Sequence, residues 1–464
     1  MKPNSIFLHF FTLLAVSVLL FGCLAGQEMK KPVEEKAETA DEGAVMMEKI
    51  APQQMWFYGR PLYEIYLRAY SPEGRISALT ANLDQFKAMG IETIWIMPIF
   101  PNGELGRKGS AGSPYAVRDY FNIAEEYGTL EDFAELVNQA HQRGMKIMLD
   151  MVMNHSSNDY PLMEQHPDWW YHDSTGAFSR EVPDWSDVTD WNYDNDEARE
   201  YLKKALLFWV RDYDVDGYRC DVAGFVPNDF WKPVINELRE IKPDLFMLAE
   251  WEDYSLLNAG FNAAYDWTLY HRLFAHREGT VGLDSLWRVI DGVNKTIPAG
   301  KLMMRFVENH DERRSAEKFG WPEVKPYAAL IYTLPGIPLL YSGQEAGETH
   351  KPSLFEPEPI DWSAADPEVN QFYRELLALR NGNNALLRGG CERVAVDAPE
   401  VLVFQRECKS QRLLVAINFS EEEQTVTLSE TGANTPWVEL TGEGLPMNEG
   451  SFTLPVYGYK IFAE

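Results

Sequence analysis

Residues 217–250 read GYRCDVAGFVPNDFWKPVINELREIKPDLFMLAE, and their pattern decides the fold class. Gly217–Asp221 is a short apolar run, Asp229–Ile241 repeats apolar residues at helical spacing, and Leu245–Glu250 is a second apolar run. The spacing predicts a strand, an amphipathic helix and another strand. A helix between two strands carries the chain back across the sheet, so the strands lie parallel. Each strand delivers a carboxylate, Asp221 or Glu250, at its C-terminal end.

The same alternation extends in both directions. Strands are expected at Tyr63–Arg68, Thr93–Pro98, Lys146–Met151, Ala263–Trp267, Leu302–Val307 and Ile337–Tyr341, with helices such as Leu130–Arg143, Glu197–Asp212 and Val281–Val293 between them. Eight strands, each followed by a helix, predict an α/β fold of the (β/α)8 TIM-barrel type over residues 53–385. His155 to about Asp196 is too long for an ordinary connection and holds Trp169, Trp170, Trp185 and Trp191. It predicts a small lobe, residues 156–195, over the C-terminal face of the barrel. After a helix at Pro367–Asn381 the texture becomes two-residue alternation with recurring turns, as in Leu413–Ile417. Residues 386–464 are therefore expected to form an antiparallel β-sandwich domain.

Composition narrows the function. Lys and Arg total 42 against 71 Asp and Glu, a net charge of −29. Such a surface repels nucleic acid, while a neutral substrate is not excluded. At the N-terminus, Lys2 precedes the apolar stretch Ile6–Phe21, which has the size of a signal-peptide core and is short for a membrane span. Gly22-Cys23 after that stretch resembles the lipobox of bacterial lipoproteins, implying cleavage after residue 22 and lipidation of Cys23. Residues 23–52 read as a flexible tether. The expected location is an exported, membrane-anchored one, facing the periplasm or the cell surface. Of the remaining cysteines, Cys220 reads as a buried small hydrophobe, and a bridge between Cys391 and Cys408 is left open.

Four acidic segments fall at strand ends: Asp150–His155, Gly217–Asp221, Leu248–Glu250 and Phe306–Asp311. Asp221 and Glu250 stand about one βα unit apart and Glu250 and Asp311 about two, so all three open on one mouth. Carboxylates around one carbon suit glycosidic cleavage, whose transition state is cationic; one attacks while another brings a proton. Arg219, two residues before Asp221, points to the same side of its strand and favours the charged form of that carboxylate. Glu250 follows Leu245–Ala249 and precedes Trp251, a setting that raises a carboxyl pKa.

These segments, in this order and spacing, resemble the four signature regions of the α-amylase superfamily of glycoside hydrolases. The resemblance covers roughly Trp56 to the C-terminus. It implies Asp221 as nucleophile, Glu250 as acid/base and Asp311 as a third acid gripping sugar hydroxyls. It further implies Arg219 as the family's arginine, His155 and His310 as substrate-contacting histidines, and Tyr115 as a stacking platform. The implied substrate is an α-glucan or maltooligosaccharide, cleaved with retention as in an α-amylase, cyclomaltodextrinase or α-glucosidase. No cofactor is required. Calcium is a family option that the loop Ser71–Arg75 does not support, and Asn154 is the one position left open for it. Two other readings stand beside this one: transglycosylation or isomerisation on the same scaffold, and a non-catalytic glucan-binding lipoprotein.

Overall fold

The computed structural model describes residues 52–464 except 410, 429–434, 443 and 448. The export segment, Cys23 and the tether as far as residue 51 lie outside the described residues. Among the described residues no helix is long and apolar enough to cross a membrane.

Eight parallel strands close into a barrel in chain order, the eighth pairing with the first. They are Leu62–Ile65, Thr93–Ile96, Lys146–Met151, Gly217–Cys220, Phe246–Ala249, Ala263–Tyr265, Leu302–Arg305 and Ile337–Tyr341. All but the first residue of the third are fully buried, as parallel strands with helices outside and side chains inside must be. Register sets polar residues on one level: Glu64 pairs with Trp95 and Tyr341, and Arg219 pairs with Asp150 and Leu248.

Most strands stop one to three residues short of the sequence-based ends. Asp221 and Glu250 stand just past their strands, tied to the ladder by Asp221 N–H to Met151 O (3.0 Å) and Glu250 N–H to Cys220 O (3.1 Å). They sit on the rim, where a side chain can meet substrate. The first strand ends at Ile65, not Arg68, because the chain turns into the short helix Leu67–Tyr70. The sixth ends at Tyr265, since Asp266 caps the helix Trp267–Arg277 through Leu269 N–H.

The predicted lobe is built on an antiparallel ribbon, His155–Ser157 with Val188–Asp190. Trp169, Trp170 and Trp191 are its buried core, with Trp170 and Trp191 stacked at 4.3 Å. The C-terminal domain has a five-stranded antiparallel sheet, Gly390–Val394, Val401–Cys408, Gln411–Asn418, Tyr459–Ala463 and Val438–Glu439 in spatial order, and a separate pair, Gln424–Thr427 with Ser451–Leu454. One face of the larger sheet (Leu402, Phe404, Val415, Ile417) joins the core that also contains the barrel helices; the other (Val403, Leu414, Phe462) covers a core of its own. Cys391 faces Arg406 and Cys408 faces Gln411, so the two cysteines are offset along the sheet and both are free thiols.

Candidate active site

The floor of the barrel mouth is organised by one buried arginine. Arg219 Nη1 donates to Asp150 (2.8 Å to Oδ1) and to Asp221 Oδ1 (3.0 Å). Its Nη2 lies 2.7 Å from Glu250 Oε1, a close contact off the N–H axis rather than an aligned hydrogen bond. Trp95, Tyr115 and Tyr265 surround the guanidinium at 5.2, 5.7 and 5.9 Å. Burial alone would weaken its charge, but Asp150 and Glu250 outweigh that and keep it firmly protonated.

Asp221 and Glu250 therefore share one cation, and a second link joins them. The peptide N–H of Val222, directly after Asp221, donates to Glu250 Oε2 at 2.7 Å. To aim that N–H, Val222 takes a left-handed backbone, φ 35° and ψ 46°. That is an outlier for a β-branched residue and costs of order 1–3 kcal/mol.

Asp311, with a 37% exposed side chain, is the most open of the three acids and lies 3.3 Å from His310 Nε2. Partial burial pushes it up, but His310, Arg219 and Lys351 hold it below its ordinary value. It also hydrogen-bonds the Glu250 carboxyl. Lys351, from the loop after the eighth strand, donates to the Asp311 carbonyl.

His310 sits between two acids. Its Nδ1 meets Glu64 and its Nε2 meets the Tyr115 hydroxyl at 2.7 Å. Burial would lower its pKa, but Asp311 and Glu64 lift it to about 9, so both ring nitrogens donate at neutral pH. The Tyr115 ring lies nearly parallel to His310, 5.7 Å away, and its hydroxyl donates to Asp150 (3.3 Å). His155 Nε2 stands 3.9 Å from Asp221 Oδ2, its other nitrogen held by the Asn154 amide. All seven residues named from sequence for catalysis and substrate contact thus converge at one mouth.

The charge balance explains the protonation. Three cations, Arg219, His310 and Lys351, face five carboxyl groups, Glu64, Asp150, Asp221, Glu250 and Asp311, in a largely buried site. Burial together with the neighbouring Asp221 and Asp311 raises Glu250 to about 8, despite Arg219 and the Val222 N–H. Burial and Asp221 likewise raise Asp150 to about 7 against the pull of Arg219. Glu250 holds a proton at neutral pH while sharing a guanidinium with Asp221, the division of labour that a retaining glycosidase requires.

Several contributors escaped sequence reading. Glu64 carried a usable signal as the one charge in an apolar strand, and Asp150 opened one of the acidic segments without being given a role. Trp185 and Trp251 were visible as aromatics near the site without a role, while Phe225 and Lys351 carried no signal, because nothing in their local sequence marks them. Trp185 packs on the edge of His155 (5.3 Å) and Phe225 packs on Trp251 (5.0 Å), giving an aromatic wall beside Asp221 and Glu250.

At the two family positions for calcium the structure shows one short loop with a single carboxylate and one facing pair, Asn154 and Asp190. In Ser71–Arg75 the Ser71 hydroxyl is taken by Gly74 N–H, which leaves Glu73 as the loop's carboxylate. Asn154 presents its amide nitrogen to Asp190 Oδ1 (3.3 Å), and the other Asp190 oxygen accepts Glu181 N–H (2.6 Å). Among the described residues no group of three or more His, Cys, Asp or Glu side chains is arranged to hold a metal ion.

Known proteins resemble this chain in sequence and fold. Residues 40–168 and 163–371 match the α-amylase catalytic domain, and residues 392–461 match the maltogenic amylase C-terminal domain. Alpha-amylase 3 of Dictyoglomus thermophilum is 29% identical, the alignment covering 80% of this chain and 86% of that protein. Alpha-amylase MalA of Haloarcula japonica is also 29% identical, over 88% of this chain and 62% of that longer protein. The crystal structure of an α-amylase from Lactobacillus plantarum superposes with a TM-score of 0.82 at 30% identity, covering 89% of this chain and all of that one. The noncanonic maltogenic α-amylase AmyB from Thermotoga neapolitana gives a TM-score of 0.78 at 32% identity, covering 88% and 97%.

Proposed function

The chain belongs to the α-amylase family of glycoside hydrolases, and on that premise we propose that it cleaves α-glucosidic bonds of starch-like glucans and maltooligosaccharides with retention of configuration. The observation that carries the reading is the guanidinium of Arg219 set between Asp221 and Glu250, with burial raising the Glu250 carboxyl.

In the first step an Asp221 oxygen attacks the anomeric carbon while Glu250 gives its proton to the glycosidic oxygen, and the carbon–oxygen bond breaks. Asp311 and His310 hold hydroxyls of the sugar being cleaved, and Tyr115 stacks on its ring. The second step follows from electrostatics. Once Asp221 is an ester it no longer carries the charge that helped to hold the Glu250 proton. With the proton already given away and that repulsion gone, Glu250 is a stable carboxylate that accepts a proton from water. The water attacks the same carbon and releases Asp221. Carboxyl groups supply every role, so no cofactor takes part in these steps. Chelator treatment is expected to leave turnover unchanged, and loss of turnover reversed by calcium would refute that part of the reading.

Proton NMR of freshly cleaved maltoheptaose tests the stereochemistry. New reducing ends should emerge as the α-anomer before mutarotation; a β-anomer would rule out double displacement. We also propose export as a lipoprotein, facing the periplasm or the cell surface, on the strength of Gly22-Cys23 behind Ile6–Phe21. Fatty-acid labelling in cells should vanish in Cys23→Ser, and persistent labelling there would refute it.

A further inference from the structure

The rim of the mouth is unequally walled. After the second strand the chain forms a glycine-rich strap, residues 102–113, which returns as the segment carrying Tyr115. One part is pinned to the small lobe: Glu104 N–H donates to Asp159 (3.0 Å), and Lys108 pairs with Asp187 (2.8 Å). The other is pinned to the loop after the eighth strand, where Ser110 N–H donates to Glu356 (2.8 Å) and Ala111 N–H to Phe355 O (3.0 Å). From below, Arg68 donates to the Ala111 and Gly112 carbonyls (2.9 and 2.6 Å), itself anchored on Glu126 (2.6 Å). Glycine stands where the strap touches these walls. A Cβ on Gly109 (φ +64°) would lie 2.6 Å from Phe355 O, and one on Gly106 (φ +82°) 3.1 Å from Ser186 O. The strap is seated, not hanging.

It therefore runs from the third-strand excursion to the eighth-strand loop, across the first and second strands. Barrel order puts those strands opposite the fifth and sixth. Glu250 closes the fifth, and connections there are short: a helix resumes at Tyr254 after the fifth strand and at Trp267 after the sixth. The proton donor must face the glycosidic oxygen, so the leaving portion of the glucan exits on that open side. The other portion extends toward Tyr115, which packs on the same small cluster (Tyr66, Ala69, Met97, Tyr341) as Leu354 of the eighth-strand loop. Past Tyr115 it meets the strap.

Resting on the retaining-hydrolase reading, we propose that the strap closes the glycone end of the cleft, so that the enzyme removes a short saccharide of fixed length from non-reducing ends. The test uses the intact chain with maltoheptaose carrying a chromophore at its reducing end, and the same compound with its non-reducing end blocked as a cyclic acetal. From the free compound the wild type should release one short sugar, leaving the chromophore on the long fragment. The blocked compound should be cut roughly 100-fold more slowly, the scale on which a built site rejects a misfit. Equal rates on both, or chromophore fragments of many lengths from the outset, would overturn the proposal. No cleavage of either would overturn the hydrolase reading and this inference with it. Lys108→Ala with Glu356→Gln loosens both pins without touching the carboxyl cluster, and should narrow the rate gap; an unchanged gap in a folded variant counts against the strap.

Discussion

Glu250 is the residue whose chemistry is most finely set, and its environment makes two predictions. Its carboxyl is raised to about 8, so the proton it delivers is lost as pH rises past that value. The profile of kcat/KM should fall on an alkaline limb near pH 8. Asp311→Asn, which removes a neighbouring negative charge, should move that limb to lower pH; an unmoved limb would assign it to another group. His310 bears on stability in the same range. Its folded pKa, about 9, lies above the ordinary 6.5, so the native state holds the extra proton between them. That stability is fully present below pH 6.5 and is lost as pH rises through 9, which thermal melts in His310→Gln should show by a flatter pH dependence. Asp221→Asn removes the attacking oxygen and should lower kcat by roughly 10⁴-fold or more while leaving the melting temperature little changed; substantial turnover would assign the nucleophile elsewhere. These residues were legible because each is an acid or base at the end of an apolar run. The Glu250 proton was legible only in outline: its apolar neighbours gave the direction, but the charges of Asp221 and Asp311 enter from other strands.

At the scale of elements, the turn after the fourth strand is the part most constrained by packing. Gly224 allows the Trp251 indole to lie against the backbone, and a Cβ there would fall 2.3 Å from that ring. Gly224→Ala must displace Trp251, the neighbour of Glu250, and is expected to cost about 1–3 kcal/mol of stability and to lower kcat. Activity assays alongside melts would check it, and a fully active Gly224→Ala would mean that Trp251 moves freely. The strands were readable from hydrophobic runs, because burial on both faces demands them. Their ends were not, because side chains elsewhere decide where the ladder stops. Asp266 ends the sixth strand by capping a helix. The small lobe was readable as an interruption, and its tryptophans divide as only packing can decide: three fill its core while Trp185 faces His155.

Across the whole molecule, barrel and C-terminal sheet are not independent weights on a string. Arg406 of that sheet donates to carbonyls of Thr333, Leu386 and Gly389, and Arg380 donates to those of Gly59, Tyr332, Leu334 and Gly336. Both guanidiniums are buried with no acidic partner among the described residues, so those carbonyls are what satisfies them. With Leu402, Phe404 and Ile417 in the barrel's own core, ending the chain at Gly389 would expose a large apolar face. Such a truncated chain is expected to be insoluble, and calorimetry of the intact protein should show barrel and sheet melting in one transition; two separated transitions would contradict the shared core. Sequence texture showed a change from helical to two-residue alternation after the helix at Pro367–Asn381. It could not reveal this union, since nothing in an alternating strand says which of its faces another domain will cover.

The hydrogen bond from the Val222 peptide to Glu250 has a mechanical corollary. The amide plane that carries this N–H also carries the Asp221 carbonyl, so any recoil of Asp221 on taking up a glycosyl group tilts the donor on which Glu250 rests. Attacker and proton carrier are geared through a single rigid plate of backbone, and an inhibitor that captures the first must also disturb the alignment of the second.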